Sequence, residues 1–319
     1  MSRFLLPADC VRTLGTEIPA CTLAEAHAYT RWLARRHHEN FHLASFLLPR
    51  ALHQDFYNIY AFCRWADDLA DEFESSERSL ELLHWWNSEL NAMYAGQPRH
   101  PVYVALAGTV ERRAIPRQPF ADLLSAFVRD QRQTRYESME DLLDYCRCSA
   151  NPVGELVLRV CGYTDGERVG LSNATCTALQ LANFWQDVRR DWEKGRVYIP
   201  LDSMARHGYS VRDLEQDAQK GSASENFRLL MRDLVDSTEE LFEKGLPLVG
   251  KVDRRLAVDL DLFSRGGLAI LKRIRRQDYD VFFRRPRLGA FDRARLLVGA
   301  AARLLEGGSP EAARSRRTA

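Results

Sequence analysis

The sequence predicts an all-α fold, a single helical bundle, on three observations. Apolar residues recur with the 3.6-residue period of amphipathic helices along most of the 319 residues, and strand-like alternation is nearly absent. No linker-like stretch interrupts the periodic segments, so we expect one large domain rather than the two that length alone indicates. Prolines mostly fall between the segments, where they disturb a helix least: Pro49, Pro98, Pro116, Pro152, Pro200, Pro247 and Pro286.

The periodic segments predict the helices in order. They lie near residues 22–38, 50–73, 78–95, 118–133, 138–147, 153–162, 167–193, 225–246, 254–277 and 290–305. We predict an N-terminal extension over residues 1–20, the helical domain over 21–306 and a disordered tail over 307–319, which is small, polar and basic. The interior of such a bundle is where a site would be built.

Composition excludes several classes of protein. A formal net charge of +1 gives no reason to expect a nucleic-acid partner. No early segment has the order of a signal peptide, and no run of about 18 apolar residues is present. The 7 cysteines show no CxxC spacing, which favours free thiols in a reducing cytoplasm over disulfides or a zinc site.

The segment near 50–73 carries the first candidate site. Asp67 and Asp71 are spaced i,i+4, so their carboxylates leave one face of a helix in the same direction. His53, Tyr57, Tyr60 and Arg64 share that polar seam, whereas Ile59, Phe62, Trp65, Ala66 and Leu69 cover the opposite arc. An exposed Arg64–Asp68 pair is the alternative, but it leaves two aspartates repelling each other. Magnesium, which binds one or two carboxylates plus phosphate oxygens, would relieve that repulsion.

The segment near 167–193 carries a second acidic row. Asn183, Asp187 and Asp191 follow at i, i+4 and i+8, and Gln180 precedes them on the same stripe. Three oxygen ligands in this row favour a cation over packing, although a structural polar seam stays open. Lys194 and Arg196 follow directly, where they can either grip phosphate oxygens or complement the helix dipole. The two rows together predict magnesium and a diphosphate-bearing, apolar substrate.

These motifs carry a resemblance to a known family. The stretches Asn40-Phe-His-Leu-Ala-Ser-Phe-Leu-Leu-Pro49 and Tyr60-Ala-Phe-Cys-Arg-Trp-Ala-Asp-Asp-Leu-Ala-Asp71 resemble the first signature of the squalene/phytoene synthase family. The stretch Gln180-Leu-Ala-Asn-Phe-Trp-Gln-Asp-Val-Arg-Arg-Asp191 resembles the second, and Arg196-Val-Tyr-Ile-Pro200 follows it as the family pattern requires. The resemblance covers roughly residues 25–285.

The resemblance implies the isoprenoid-synthase fold, with one central cavity walled by helices, and it implies residue roles. Asp67 and Asp71 would hold magnesium from one side, and Asn183, Asp187 and Asp191 from the other. Arg64 would contact the diphosphate, Tyr60 would lie by the leaving group and Tyr145 would line the cavity wall. The remaining substrate-binding positions would be His38, Asn40, Phe41, Gln180, Arg196 and Tyr198.

Two departures from the family pattern narrow the expected reaction. Gln186 stands where the second signature usually has an arginine, and residues 149–154 read Ser-Ala-Asn-Pro-Val-Gly instead of Val-Ala-Gly-x-Val-Gly. Without an arginine at position 186, the chain lacks a positive charge that could bind a second diphosphate. Both departures resemble the hopanoid-pathway HpnC branch, which implies hydroxysqualene synthase activity on presqualene diphosphate. We expect Mg²⁺ as the cofactor and no NADPH, because water rather than hydride would end the reaction.

The alternative functions belong to three classes of protein. Head-to-head condensation of two farnesyl diphosphates is the nearest, and a non-catalytic scaffold relative is the alternative from another class. A ferritin-like di-iron bundle needs two Glu-x-x-His motifs, whereas only Glu81–His84 is present. The protein is expected in the cytoplasm; for a C30 product, handover within the hopanoid pathway and peripheral contact with the inner face of the membrane stay open. Residues 291–305 fit an interfacial helix, but an ordinary packed terminal helix is favoured.

Overall fold

The computed structural model describes residues 4–36 and 49–289, together with residues 292, 296, 298 and 299. Within these ranges the regular structure is helical and includes no strand, so the all-α prediction is confirmed. In chain order the helices are α1 Pro7–Leu14, α2 Leu23–Arg36, α3 His53–Asp71, α4 Ser76–Tyr94, α5 Pro101–Arg113, α6 Gln118–Asp130, α7 Met139–Ser149, α8 Asn151–Val160, α9 Gly166–Glu193, α10 Leu201–Arg206, α11 Val211–Lys220, α12 Glu225–Gly245 and α13 Arg254–Arg276.

The helices group into two compact units. The first unit comprises Met1–Gln133 and Cys148–Asp165, which include α1 to α6 and α8. The second comprises Thr134–Arg147 and Gly166–Ala319, which include most of α7 and all of α9 to α13.

Helix α3 is the central element of the first unit, where it packs against α1, α2, α4, α5, α6 and α8. The arc predicted to be apolar is buried: Ile59, Phe62, Trp65, Ala66 and Leu69. Trp65 stacks on Trp86 of α4 with ring centroids 5.1 Å apart, and His100 meets its ring edge-on at 4.3 Å. Burial of several large side chains at about 1.5–3 kcal/mol each fixes which face of α3 carries the acidic seam.

A buried polar network fixes the register of α3 against its neighbours. The side-chain amide of Asn58 donates to the Ala105 carbonyl at 2.9 Å and to Thr109 Oγ1 at 3.1 Å, both in α5. Thr30 of α2 donates to Asn58 Oδ1 at 2.8 Å. Because an unpaired buried amide is costly, a slide of any of the three helices would be penalised.

The second unit is organised around α9, which packs against α12, α13 and the 3₁₀ segment Leu246–Lys251. Helices α9 and α12 run antiparallel, since Gly245 lies against Thr175 and the Trp185 indole donates to Thr238 Oγ1 at 2.8 Å. At Gly245 a Cβ atom would lie only 2.1 Å from Thr175 Oγ1, so glycine permits the close approach. This packing buries one face of α9 and leaves its polar stripe uncovered by α12.

After α13 the chain turns and runs back along α9. Asp278 and Tyr279 have φ of 52° and 57°, left-handed values that reverse the chain. Asp280 Oδ1 then accepts the backbone N–H groups of Phe282 at 3.1 Å and Phe283 at 3.0 Å. We call residues Val281–Pro286 the strap.

Four helices were not predicted from the sequence: α1, α5, α10 and α11. Helices α1 and α10 have 8 and 6 residues, too few to show a helical period, and α11 depends on a capping box of Ser210 and Asp213. Helix α1 lies within the segment predicted as an extension, and it packs on α3 through buried Ala8 and Val11.

Three further predictions concern the cysteines, membrane-spanning helices and the C-terminal residues. All 7 cysteines are free thiols, as predicted. Among the described residues, no helix is both long and apolar enough to cross a membrane. The predicted terminal helix over 290–305 and the tail over 307–319 lie mainly or wholly outside the described residues.

Candidate functional site

The acidic seam of α3 is centred on Arg64. Its guanidinium pairs with Asp68 and lies 3.5 Å from Asp67 Oδ2, while Tyr60 is buried one turn earlier. The predicted alternative of an exposed Arg64–Asp68 pair is wrong in one respect, because Asp68 is only 3% exposed. Burial raises the pKa of Asp68, while Arg64 and a backbone hydrogen bond from Ala8 act to lower it. Asp67 is half-buried, and Asp71 is exposed at the end of the helix.

The second acidic row lies along α9 as the sequence predicted. Asn183 is exposed and Asp187 and Asp191 are half-buried, whereas their apolar neighbours on the helix are buried: Leu181, Phe184, Trp185 and Val188. Gln180, one turn before Asn183, is half-buried. The row therefore lies beside the buried apolar face of α9, as in an amphipathic helix whose polar side is left accessible.

The carboxyl group of Asp191 has a raised pKa. Burial, followed by the negative charge of Asp187, raises its pKa to about 7, although Lys194, Arg196 and Arg190 oppose the shift. The cations come close because α9 ends at Glu193, Gly195 takes a left-handed φ of 77°, and the Arg196 N–H donates to the Asp191 carbonyl at 2.8 Å. The raised pKa of Asp191 thus comes mainly from burial, and the second carboxylate on the same helix face adds to it.

Asp187 is held by a residue that the sequence did not indicate. Arg285 of the strap donates from Nε to Asp187 Oδ1 at 2.5 Å and from Nη2 to Oδ2 at 2.7 Å, a two-pronged contact. Arg190 lies further away, with Nη1 3.8 Å from Oδ1. The only available signal was the arginine-rich stretch 284–287, which lies outside every predicted helix.

An aromatic cluster adjoins the acidic row of α9. Phe184 and Tyr198 stack with centroids 3.8 Å apart, and Tyr145 lies 6.2 Å from Phe184. Tyr136, which was not among the predicted site residues, stacks on Tyr198 with ring centroids 5.7 Å apart. The segment carrying Tyr198 is fixed to the one before α7, because the Val197 N–H donates to the Thr134 carbonyl at 2.9 Å.

Three of the predicted residues line one small cavity of the second unit. Asp191, Arg196 and Tyr198 surround a space of about 10 Å³, together with Phe184. That volume is close to the minimum that holds a single water molecule, about 10–15 Å³. The structure therefore brings an acid, a cation and two aromatic rings together at the end of α9.

The α9 donors fit magnesium by their chemistry. Asn183 contributes an amide oxygen and Asp187 and Asp191 contribute carboxylates, the hard ligands that Mg²⁺ prefers. After burial, repulsion from Asp187 contributes to the raised pKa of Asp191, and a cation would relieve that repulsion. Within the described ranges, no three His, Cys, Asp or Glu side chains converge on a metal-sized point. A magnesium ion here would accordingly draw further ligands from phosphate oxygens and water, as Mg²⁺ commonly does.

The remaining predicted residues are distributed as follows. Tyr60, Arg64, Asp67 and Asp71 belong to the first unit, and Tyr145, Gln180, Asn183, Asp187, Asp191, Arg196 and Tyr198 to the second. His38, Asn40 and Phe41 lie outside the described residues. The roles assigned to all of them stay predictions.

Comparison with known proteins gives consistent matches over most of the chain. Residues 34–292 match the squalene/phytoene synthase family. The 15-cis-phytoene synthase of Synechocystis sp. is 31% identical over 282 residues, covering 84% of this chain and 82% of that protein. The phytoene synthase of Thermus thermophilus is 32% identical over 286 residues, covering 88% and 94%.

Solved structures agree on the fold. The squalene synthase HpnC from Alicyclobacillus acidocaldarius is 42% identical with a TM-score of 0.76, covering 81% of this chain and 96% of that one. A dehydrosqualene synthase is 25% identical with a TM-score of 0.78, covering 89% and 98%. The predicted isoprenoid-synthase fold is thereby confirmed. With a family match over most of its length and both acidic signatures in order, this chain belongs to the squalene/phytoene synthase family of isoprenoid diphosphate-processing enzymes.

Proposed function

We propose that this protein ionises presqualene diphosphate and captures the resulting cation with water, giving hydroxysqualene and diphosphate. The observation that supports it most is the juxtaposition, at the end of α9, of an acidic row with an aromatic cluster. Asp191 and Arg196 share one small cavity with Phe184 and Tyr198. This cavity holds no more than a water molecule, but it shows that charged side chains suited to a diphosphate and aromatic rings suited to a carbocation lie next to each other here.

The first step is cleavage of the carbon–oxygen bond, in which the electron pair leaves with the diphosphate. Asp67, Asp71, Asn183, Asp187 and Asp191 are the proposed magnesium ligands. When bound, magnesium neutralises the charge that builds on the leaving group. Arg64 and Arg196 donate hydrogen bonds to phosphate oxygens, and as preorganised charges they stabilise the same developing anion.

The second step is protection and capture of the cyclopropylcarbinyl cation. The rings of Tyr145 and Phe184 stabilise positive charge and exclude bulk water until the three-membered ring opens. Tyr198, which stacks on Phe184 and on Tyr136, holds Phe184 in place. One water molecule then forms the new carbon–oxygen bond and releases a proton, so no hydride donor is consumed. NADPH is accordingly not required for this reaction.

Two observations favour a single prenyl substrate. The identity to HpnC is 42%, against 31% and 32% to the two phytoene synthases. Gln186 is neutral, and its amide donates to the Pro286 carbonyl at 2.5 Å, so its side chain already has a partner within the protein. A second diphosphate therefore gains no charge from this position.

Condensation of two prenyl diphosphates is the second candidate. It is favoured by the phytoene synthase relatives, whose similarity extends over 82% and 94% of their own lengths. Farnesyl diphosphate would be the substrate, and presqualene diphosphate or squalene the product.

The deciding experiment is product analysis by mass spectrometry. Purified protein and Mg²⁺ are incubated with presqualene diphosphate, with and without NADPH, and separately with farnesyl diphosphate. Hydroxysqualene formed without NADPH, and lost in Asp67→Ala and Asp187→Ala, is the expected result. Products from farnesyl diphosphate alone would support condensation instead, and no turnover of either substrate would favour a non-catalytic scaffold role.

A further inference from the structure

Arg285 and the proposed magnesium ion would compete for the same carboxylate, that of Asp187. We infer that Arg285 makes magnesium binding depend on diphosphate: it holds Asp187 when no anion is present, and it transfers to a phosphate oxygen when magnesium and diphosphate bind together. The inference rests on the proposed function, because it requires Asp187 to be a metal ligand.

The strap places Arg285 on Asp187 through contacts on both sides. Ahead of it, the ring of buried Phe282 packs on Phe227 with centroids 4.6 Å apart, and the Phe282 carbonyl accepts a hydrogen bond from Arg189 at 3.0 Å. Behind it, Pro286 is buried and its carbonyl accepts the Gln186 amide at 2.5 Å. Gln186 is therefore a positioning residue, since it fixes the backbone next to Arg285.

The positive charge of Arg285 disfavours binding of magnesium to Asp187 when no diphosphate is present. The guanidinium group of Arg285 donates a bidentate pair of hydrogen bonds to the two carboxylate oxygens of Asp187. The side chain of Asp187 is only 12% exposed, so little water screens the pair. A divalent cation on the same carboxylate would lie next to a fixed positive charge, and the two would repel. A bound diphosphate outweighs the repulsion between Arg285 and magnesium, because its negative charge attracts both cations and it offers each of them an oxygen of its own.

The surroundings give Arg285 room to turn away. A cavity of about 200 Å³ lies between α9 and the strap, lined among others by Asp187, Arg190 and Arg285. It holds several water molecules on the usual volume criterion. Arg190 has Nη1 3.8 Å from Asp187 Oδ1, and Arg189 and Arg284 also line this cavity. An anion entering it therefore meets four arginines, against the carboxylates of Asp187 and Glu193.

Calorimetry on the full-length protein tests the inference without measuring turnover. Mg²⁺ alone is titrated first, and inorganic diphosphate is then titrated at saturating Mg²⁺. For Arg285→Gln we expect Mg²⁺ alone to bind about tenfold tighter and diphosphate about tenfold weaker, the scale of one charge-assisted contact. Gln186→Ala should shift both constants in the same directions by a smaller factor.

Arg287→Gln is the matched control. It removes the same charge two residues further along the chain, from an exposed side chain that does not line this cavity, and should change neither constant. Arg285→Lys keeps the positive charge but not the bidentate geometry, and its affinities for Mg²⁺ and diphosphate should lie between those of wild type and Arg285→Gln. A structural role would not move two affinities of one folded variant in opposite directions.

The outcomes separate this inference from the proposed function. If Asp187→Asn leaves Mg²⁺ affinity unchanged, Asp187 is not a ligand and the proposed metal site fails with the inference. If Asp187→Asn abolishes Mg²⁺ binding but Arg285→Gln weakens it or leaves it unchanged, only the inference is overturned. Arg285 would then merely orient a metal ligand.

Discussion

Phe184 and Tyr198 stack with their ring planes only 9° apart and their centroids 3.8 Å apart. Phe184 belongs to α9, and Tyr198 to the segment that returns past the end of that helix. The stack therefore ties this segment to the helix, and with it Arg196, which lines the same small cavity as Asp191. One ring pair thus connects the packing of the second unit to the charges of its candidate site.

Removal of one ring should destabilise the protein. Phe184 is buried, and we expect Phe184→Ala to lower the free energy of unfolding by about 3–5 kcal/mol, through lost burial and the cavity left behind. Tyr198→Phe retains both ring faces and should cost less than about 1.5 kcal/mol. Urea unfolding followed by circular dichroism measures both. Equal losses in the two variants would show that the stack itself contributes little.

The parts predicted from the sequence are those with a strong helical period. Helices α3 and α9 carry continuous apolar faces, so the side that holds Asp67, Asp187 and Asp191 followed from spacing alone. The contact of Arg285 with Asp187 could not be predicted in this way, since it joins residues 98 apart and one of them lies outside any helix. Its geometry depends on the left-handed turn at Asp278 and Tyr279, which no local pattern indicated.

Magnesium affinity should fall in mild acid because of Asp191. Its pKa of about 7 means that the folded protein binds a proton there below neutrality, and a protonated carboxyl is a poor metal ligand. We expect Mg²⁺ to bind about tenfold more weakly at pH 6 than at pH 8, since one proton competes with the metal. Calorimetric titrations at the two pH values measure this. Asp191→Asn should bind Mg²⁺ weakly and lose most of the pH dependence; an unchanged dependence would exclude Asp191 as its source.

Asp259, near the start of α13, should make stability depend on pH. It is 2% exposed, and neither of its oxygens has a hydrogen-bond partner among the described residues. Burial, with a smaller effect of Asp253, raises its pKa to about 8 from 3.8. Because the folded state holds the proton more tightly, this group's contribution is complete below about pH 4 and is lost as the pH rises through 8.

The variant Asp259→Asn isolates that contribution. Its free energy of unfolding relative to wild type should rise by roughly 1–2 kcal/mol between pH 6 and pH 9, with solvent screening allowed for. Urea titrations at both pH values give the difference. A constant difference would mean that Asp259 already ionises below pH 6 in the folded protein.

Adjacent glycines in α13 should respond oppositely to alanine. At Gly267 a Cβ atom would lie 2.2 Å from Phe242 Cζ and 3.1 Å from Leu179 Cδ2, whereas at Gly266 it would meet nothing within 4 Å. Phe242 is fully buried and cannot move aside without disturbing the contact of α12 with α13. Gly267→Ala should therefore cost about 1–3 kcal/mol, as overpacking does.

Gly266→Ala is the matched control, and it should gain up to about 1 kcal/mol from helix propensity. Differential scanning calorimetry should then show a melting temperature several degrees lower for Gly267→Ala and a few degrees higher for Gly266→Ala, at about 2–4 °C per kcal/mol. The two substitutions add the same methyl group to the same helix, so their difference measures the close approach alone. If both variants were stabilised, α13 would have shifted away from Phe242, and the packing of the second unit would be looser than its interatomic distances imply.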